Sequence, residues 1–139
     1  MSKDMKPYLI DPFVRFIYAH MKEHKENRNI IKLDQECGSC LVYTNKWEER
    51  VDCEAIPSLV MKYFIEFNNW LKKEYDSITD STPANHVGDI INGVTLVEIL
   101  RKKDPVYMVN LYNFVAVMLE DIGREFFPEK YPLKINVEI

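Results

Sequence analysis

The sequence is poor in glycine, with only 4 among its 139 residues. Sheet-rich and loop-rich folds generally need more glycine for their turns, so this scarcity favours a helical protein. Cysteine is also rare, and its odd number, 3, leaves at least one thiol unpaired. The start of the sequence, MSKDMKPYLIDPF, is too polar for a signal peptide. We therefore expect free thiols in a reducing compartment, with a cytoplasmic location.

Long apolar runs and basic clusters are missing as well. The longest apolar stretch, VYMVNLYNFVAVML, is interrupted by two asparagines. It falls short of the roughly 18 residues that a membrane-spanning segment needs. The net charge is −4 and no basic patch stands out, so neither nucleic acid nor an anionic membrane is an expected partner.

Motifs for catalysis are absent too. The sequence contains no nucleophile elbow, phosphate-binding loop or dinucleotide fingerprint. Its acids in the second half are scattered, as caps and surface charges usually are. We expect a protein that is not an enzyme and carries no cofactor.

The apolar spacing predicts one helical domain over residues 1–139. Asp11 and Pro12 are typical of an N-cap and a first helical position. They open a helix whose buried stripe comprises Ile10, Phe13, Val14, Ile17 and Met21.

Residues 30–54 contain two short apolar runs. Leu33, Cys37, Cys40 and Leu41 could share one face of a short helix. The sequence TNKWEERVDCE then suggests a surface connection, with Trp47 folded back onto the core.

The second half of the chain gives the strongest helical pattern. From Pro57 the buried stripe is predicted to comprise Val60, Phe64, Phe67, Leu71, Tyr75 and Ile78. After a loop over 79–86, the segment VGDIINGVTLVEILRKK is apolar on most sides, and its Gly93 suggests close packing. Asp104 and Pro105 start a further apolar helix that runs to about Ile122, before a short helical turn and a tail. The predicted fold is all-α, a bundle of about five to seven helices around a hydrophobic central pair.

A possible metal site lies in the first third of the chain. His20 and His24 are four residues apart on one helix face, and Cys37 and Cys40 follow at ligand spacing. The histidines also form the pattern H-x-x-E-H, in which Glu23 would be a general base. The alternatives are a structural zinc, a catalytic zinc, a redox pair, or a helix end followed by a loop with two thiols. The last is favoured, because the core is large enough without a metal and no further catalytic ligand is apparent.

Large aromatic rings are numerous for a small bundle. They are Tyr63, Phe67, Trp70, Tyr107, Tyr112, Phe126, Phe127 and Tyr131. Most should fill the core, but an all-α domain this apolar can also offer a groove to a partner helix or a surface to a second copy.

The order of elements resembles the Bcl (B-cell lymphoma two) family of apoptosis regulators, in its short, divergent viral form. PFVRFIYAHMKEH resembles the first helix of that family, and NGVTLVEIL resembles its central-helix motif. NFVAVMLEDIGREFF and YPLKINVEI resemble the next helix and the C-terminal motif. The resemblance implies an inhibitor of apoptosis in the cytoplasm of a host cell. Such a protein binds the amphipathic helix (BH-three motif) of pro-apoptotic relatives in a hydrophobic groove.

The central motif departs from the family at its charged position. The asparagine, tryptophan, glycine and arginine of the motif correspond to Thr95, Leu96, Val97 and Glu98. In the family the arginine pairs with an aspartate of the partner helix, which Glu98 would repel. Arg101 or Lys102 would then have to supply the positive charge.

We expect the groove to lie between the helices at 57–78 and 87–102. Its predicted lining is Leu59, Tyr63, Phe67, Val94 and Val97, with Arg101 as the charge partner. A homodimer formed through an exposed apolar patch is an alternative use of the same surface.

A second resemblance covers less of the chain. FNNWLKKEYDSI, VGDIINGVTLVEILRKKDP and VNLYNFVAVML resemble calponin-homology and hook domains, which bind cytoskeletal or adaptor proteins. The match is better locally, but the segment from Asp104 to Asn110 is too short for those domains, and the first 56 residues have no counterpart.

Overall fold

The computed structural model describes residues 7–102 and 104–131. It is mostly helical, at about 70%. The helices are α1 (Pro7–Glu23), α2 (Asp52–Asp76), α3 (Ala84–Arg101) and α4 (Pro105–Phe126). The strands are β1 (Ile30–Ile31), β2 (Ser39–Tyr43) and β3 (Trp47–Val51). Short 3₁₀ turns lie at Lys25–Asn27 and Pro128–Lys130.

The prediction of an all-α bundle with five to seven helices was wrong in one segment. Across the described ranges there are four α-helices, and β1, β2 and β3 form a small antiparallel sheet in that order. The short helix expected around Cys37 and Cys40 is a loop that enters β2. Short apolar runs do not distinguish strands from helices by periodicity, and the β-branched and aromatic residues here favour pairing.

The hairpin of β2 and β3 has a clear physical basis. Tyr43 is paired with Trp47 across a three-residue connection, and their ring centroids are 5.3 Å apart. Such cross-strand aromatic pairs stabilise a hairpin. Trp47 also packs against Phe127, with centroids 5.2 Å apart, which confirms that it folds back onto the core.

The first helix keeps its predicted face but not its predicted start. Ile10, Phe13, Ile17 and Met21 are fully buried, as the spacing indicated, whereas Val14 is only partly buried. The helix begins at Pro7, however, so Asp11 lies inside it and accepts a hydrogen bond from Arg15 Nε at 2.5 Å instead of capping.

The later helices follow the sequence signals in part. Of the stripe predicted on α2, Val60, Phe67 and Leu71 are buried, whereas Tyr75 is 63% exposed and Ile78 lies beyond the last residue of the helix. Asp104 caps α4 by accepting a hydrogen bond from the Val106 amide at 2.9 Å, and Pro105 occupies the first turn. By contrast, α2 begins at Asp52, ahead of the predicted Pro57. Gly93 does permit close packing, because a Cβ there would lie 2.7 Å from Leu71 Cδ2.

The core lies where α1 packs across α3 and α4, with α2 and the sheet closing its other sides. The helices α3 and α4 are less enclosed than predicted. Six of their apolar side chains are at least 40% exposed, namely Ile91, Val94, Val106, Val109, Phe114 and Val117.

No helix in residues 7–102 or 104–131 is both long enough and apolar enough to cross a membrane. The predicted C-terminal tail, residues 132–139, lies outside the described residues.

Candidate functional site

One side of α2 borders an open apolar groove. The lining positions of α2 recur at three- and four-residue steps from Pro57 to Asp76, which places them on a single face. At 1.5 Å per residue this face is roughly 28 Å long. The opposite wall is formed by α3 and the first turns of α4. We call this feature the α2 groove.

The first half of the α2 groove is mainly apolar. It has a volume of about 510 Å³ and is lined by Pro57, Val60, Met61, Phe64, Leu100, Arg101, Met108 and Tyr112. Met61 is 63% exposed, although a methionine side chain on a monomer is more stable when it is covered. Methionine adapts its shape easily, which suits a surface that receives another apolar side chain.

The second half of the α2 groove carries the charges. It has a volume of about 460 Å³ and is lined by Asn68, Leu71, Lys72, Tyr75, Asp76, Val94, Val97, Glu98 and Arg101. Arg101 lines both halves and therefore stands at their junction.

The ion pair at this junction is loose. Arg101 Nη1 lies 3.8 Å from Glu98 Oε1, and both side chains are more than half exposed. Exposed pairs of this kind contribute little to stability, so Arg101 is free to take another carboxylate.

The structure brings three of the six predicted groove residues together. Val94, Val97 and Arg101 line the α2 groove. The other three lie elsewhere, because α2 is rotated so that this side of it packs inward. Phe67 is fully buried with its ring 5.0 Å from Phe13, and Tyr63 is 1% exposed. Leu59 is buried and borders a different hollow beside the sheet.

Sequence reasoning did not assign the rest of the lining to the groove: Pro57, Val60, Met61, Phe64, Asn68, Leu71, Lys72, Tyr75 and Asp76 of α2, Glu98 and Leu100 of α3, and Met108 and Tyr112 of α4. On α2 the available signal was the predicted stripe with Val60, Phe64, Leu71 and Tyr75, which was not assigned to the groove. Which side of α2 faces inward depends on its contacts with α1 and α3, which the sequence of α2 does not contain.

A second cluster, formed by Lys32, Cys40 and Asp52 and called the Lys32 cluster here, lies at the N-terminal end of α2. It borders a hollow of about 370 Å³, but its lysine and its thiol are buried. Lys32 is 1% exposed, and its Nζ lies 2.6 Å from Asp52 Oδ2. The same Nζ donates to the carbonyl oxygens of Cys37 and Ser39 at 2.6 and 3.3 Å. All three ammonium protons are thus matched, which a buried lysine requires.

Cys40 completes this cluster. Its thiol donates to Asp52 Oδ1 at 2.9 Å. Burial first, and this hydrogen bond second, raise the pKa of Cys40 to about 12. The thiol therefore stays protonated at neutral pH and is a poor nucleophile or metal ligand.

The four residues of the possible zinc set do not converge. His20 Nδ1 lies 2.9 Å from the Phe16 carbonyl oxygen, and His24 is exposed near Glu26. Cys37 is exposed, whereas Cys40 is buried against Asp52. Within the described part of the chain, no three His, Cys, Asp or Glu side chains are grouped as a metal site.

Comparison with known proteins gave no match to a family model, to a curated protein sequence or to a solved structure.

Proposed function

We propose that the protein binds an amphipathic helix of a partner protein in the α2 groove. The observation that carries this proposal is the shape of the groove, two adjoining hollows that share Arg101 and together extend roughly 28 Å along α2. A helix of about five turns matches that length and presents apolar anchors at i, i+3 or i+4, and i+7. A compact metabolite would occupy only one half.

The chemistry of the two halves defines the partner further. Anchors such as leucine or phenylalanine would fill the half lined by Val60, Phe64 and Met108. A carboxylate further along the partner would face Arg101 and Lys72. Glu98 lies in the same half and would oppose a second acid, so one acidic residue suits the groove better than a cluster.

The resemblance to the Bcl family supplies the biological form of this proposal. The partner would be the BH-three helix of a pro-apoptotic protein, and its capture would inhibit apoptosis in a host cell. In support, Arg101 is available at the centre of the groove while Glu98 occupies the motif position of the family's arginine. Lys102, the other residue considered, lines neither half.

Calorimetric titration with a panel of peptides from pro-apoptotic proteins tests the proposal. We expect at least one peptide to bind with a Kd below about 10 μM, which corresponds to about 7 kcal/mol. No binding at tens of micromolar across the panel would refute the apoptotic partner. Co-sedimentation with actin or microtubules in its place would favour the calponin-homology or hook alternative.

A pair of variants ties any binding to the α2 groove. Met61→Asp places a charge among the apolar lining at a 63% exposed position, so the fold should tolerate it. We expect at least a tenfold loss of affinity. Val117→Asp is the matched control, because Val117 is 50% exposed on α4 and lines neither half. Equal losses in both variants would mean that the peptide does not occupy the groove.

A second copy of the chain is the competing occupant. A homodimer would cover apolar side chains such as Met61 and Val94, which are exposed here. Sedimentation equilibrium of the wild type and of Met61→Asp distinguishes the two. If Met61→Asp converts a dimer into a monomer, self-association uses the α2 groove and must be displaced before a partner helix can bind.

A further inference from the structure

A separate hollow lies on the far side of α2 from the groove. It has a volume of about 350 Å³ and is bordered by α1, by Trp70 of α2 and by Asp89 of α3. Trp70 follows Met61 by nine residues, or two and a half helical turns, and therefore points to the opposite side of α2. A ligand here would not compete directly with a helix in the α2 groove.

Three aromatic rings line this hollow. The centroid of the Phe16 ring lies 5.6 Å from that of Trp70, with the ring planes inclined at 50°. The centroid of the Phe16 ring also lies 4.3 Å from that of the His20 ring. The faces of Phe and Trp rings carry partial negative charge, so a wall of such rings attracts a cation when water is excluded.

The fixed charges of the hollow favour a cation as well. Arg15 donates to Asp89 at 2.9 Å and to Asp11 at 2.5 Å, so its guanidinium is already matched by two carboxylates. The hydrogen bond to Asp89 is the main cause that raises the pKa of Arg15, which therefore stays charged and paired. An anion would have to displace one of these acids.

The remaining charged residue on the lining is Glu23. It makes no ion pair with any residue in the described ranges, and its side chain is exposed at the rim. Just beyond the hollow, the His86 ring lies nearly perpendicular to Trp70 with centroids 6.3 Å apart, and its Nε2 lies 3.6 Å from Glu74 Oε2. Because Arg15 is paired with Asp11 and Asp89, the charge that remains on the lining is the negative charge of Glu23.

We propose that this hollow binds an organic cation of the quaternary-ammonium class, such as a trimethylated lysine side chain or a choline headgroup. Such a cation offers no N–H donor, so it interacts with rings and a nearby carboxylate rather than with a hydrogen-bonding cage. One face of Trp70 is stacked on Phe67, with ring centroids 5.8 Å apart, so Phe16 and the remaining surface of Trp70 would supply the rings. Glu23 would supply the charge. The proposal does not depend on the function of the α2 groove.

NMR titration tests the proposal directly, because the chain has 2 tryptophans and hence two indole N–H signals. The signal of Trp70, assigned from Trp70→Phe, should shift and saturate as choline is added. The signal of Trp47, which packs against Phe127, should stay in place as an internal control. A trimethyllysine peptide, added separately, shows whether a protein side chain binds better than the free headgroup.

The decisive control is 3,3-dimethylbutan-1-ol, the uncharged isostere of choline. We expect choline to bind at least about threefold more tightly than this alcohol, as an exposed cation–π contact would give. Glu23→Gln should reduce the affinity for choline by a similar factor without altering the fold, since Glu23 is exposed. Equal shifts with choline and the alcohol, or no saturation by about 50 mM choline, would overturn the proposal.

Discussion

The two ends of α2 lie in opposite surroundings. At its N-terminal end, the partly exposed Asp52 accepts hydrogen bonds from the buried Lys32 and Cys40, which have all their donors matched. Further along, the same helix leaves Met61 and Tyr75 63% exposed beside an open groove. Matched polar groups fix one arrangement of the chain, whereas apolar groups left in water gain stability when a partner covers them. The difference indicates that the Lys32 cluster holds the fold together and that the α2 groove is available for binding.

The largest expected loss of stability comes from breaking the Lys32 cluster. Lys32→Met keeps the length of the side chain but removes the ammonium, which leaves Asp52 and two carbonyl groups without their donor. Removing one partner of a buried pair costs about 3–5 kcal/mol, and we expect a value near the lower end because Asp52 is partly exposed. Urea denaturation measures the loss.

The matched control for this variant is Lys73→Met, at an exposed position of α2. It should change the free energy of unfolding by no more than about 0.5 kcal/mol. If Lys32→Met and Lys73→Met lowered the free energy of unfolding by the same amount, the Lys32 cluster would not contribute specifically to stability.

A smaller loss of stability is expected beside Leu71, a side chain that belongs both to the core and to the lining of the α2 groove. Gly93→Ala would place a Cβ 2.7 Å from Leu71 Cδ2 and 3.0 Å from Phe67 Cζ. Overpacking of this kind costs about 1–3 kcal/mol, partly offset by the better helix propensity of alanine. We expect a net loss of about 1–2 kcal/mol in thermal or urea unfolding, together with weaker peptide binding because Leu71 lines the groove.

Gly88→Ala on the same helix provides the opposite control. A Cβ there meets nothing within 4 Å, so the substitution should stabilise α3 by up to about 1 kcal/mol. If Gly88→Ala lost as much stability as Gly93→Ala, the close contacts of position 93 with Leu71 and Phe67 would not explain the loss in Gly93→Ala.

The fold was predictable where one helix carries one apolar stripe. Ile10, Phe13, Ile17 and Met21 repeat at helical spacing, and all are buried. Asp104 with Pro105 likewise marked the start of α4. The sheet was missed because its strands are short and their partners are set by pairing between segments, which no local pattern encodes.

The candidate site was predictable only in outline. The two helices that border the α2 groove could be named, since both are strongly apolar. The inward face of α2 could not be predicted, because apolar residues such as Met61, Tyr63 and Phe64 lie on several of its sides and contacts with α1 and α3 set which side is buried. The burial of Lys32 was also beyond prediction, because its partner Asp52 is brought to it by the register of the sheet.

A still smaller change in the free energy of unfolding, of opposite sign, is expected at Tyr63, and it tests whether this residue belongs to the buried side of α2 or to the lining of the groove. Tyr63 is 1% exposed, and its hydroxyl has no hydrogen-bond partner among residues 7–102 and 104–131. Leaving such a group unmatched is costly, so Tyr63→Phe should stabilise the protein by about 1 kcal/mol in urea unfolding. Affinity for a groove peptide should not change. Weaker binding in Tyr63→Phe would place Tyr63 in the groove after all.

The smallest effect at neutral pH concerns Cys40, and it grows only in alkali. The pKa of Cys40 is raised to about 12 in the folded protein, above the ordinary value of 9.0. As the pH rises past 9, the thiol of the unfolded chain ionises first, so the unfolded state binds fewer protons and stability falls until about pH 12. Cys40→Val lacks this group, and its stability relative to the wild type should therefore improve between pH 8 and pH 10.5 in parallel urea titrations.

Alkylation gives an independent measure of the same burial. At pH 8 iodoacetamide should modify the exposed Cys37 and Cys53 of the native protein but not Cys40, and all three cysteines after denaturation. Rapid modification of native Cys40 would show that the cluster opens readily. The Lys32 cluster would then be as accessible to solvent as the α2 groove, and the two parts of α2 would not differ in the way proposed.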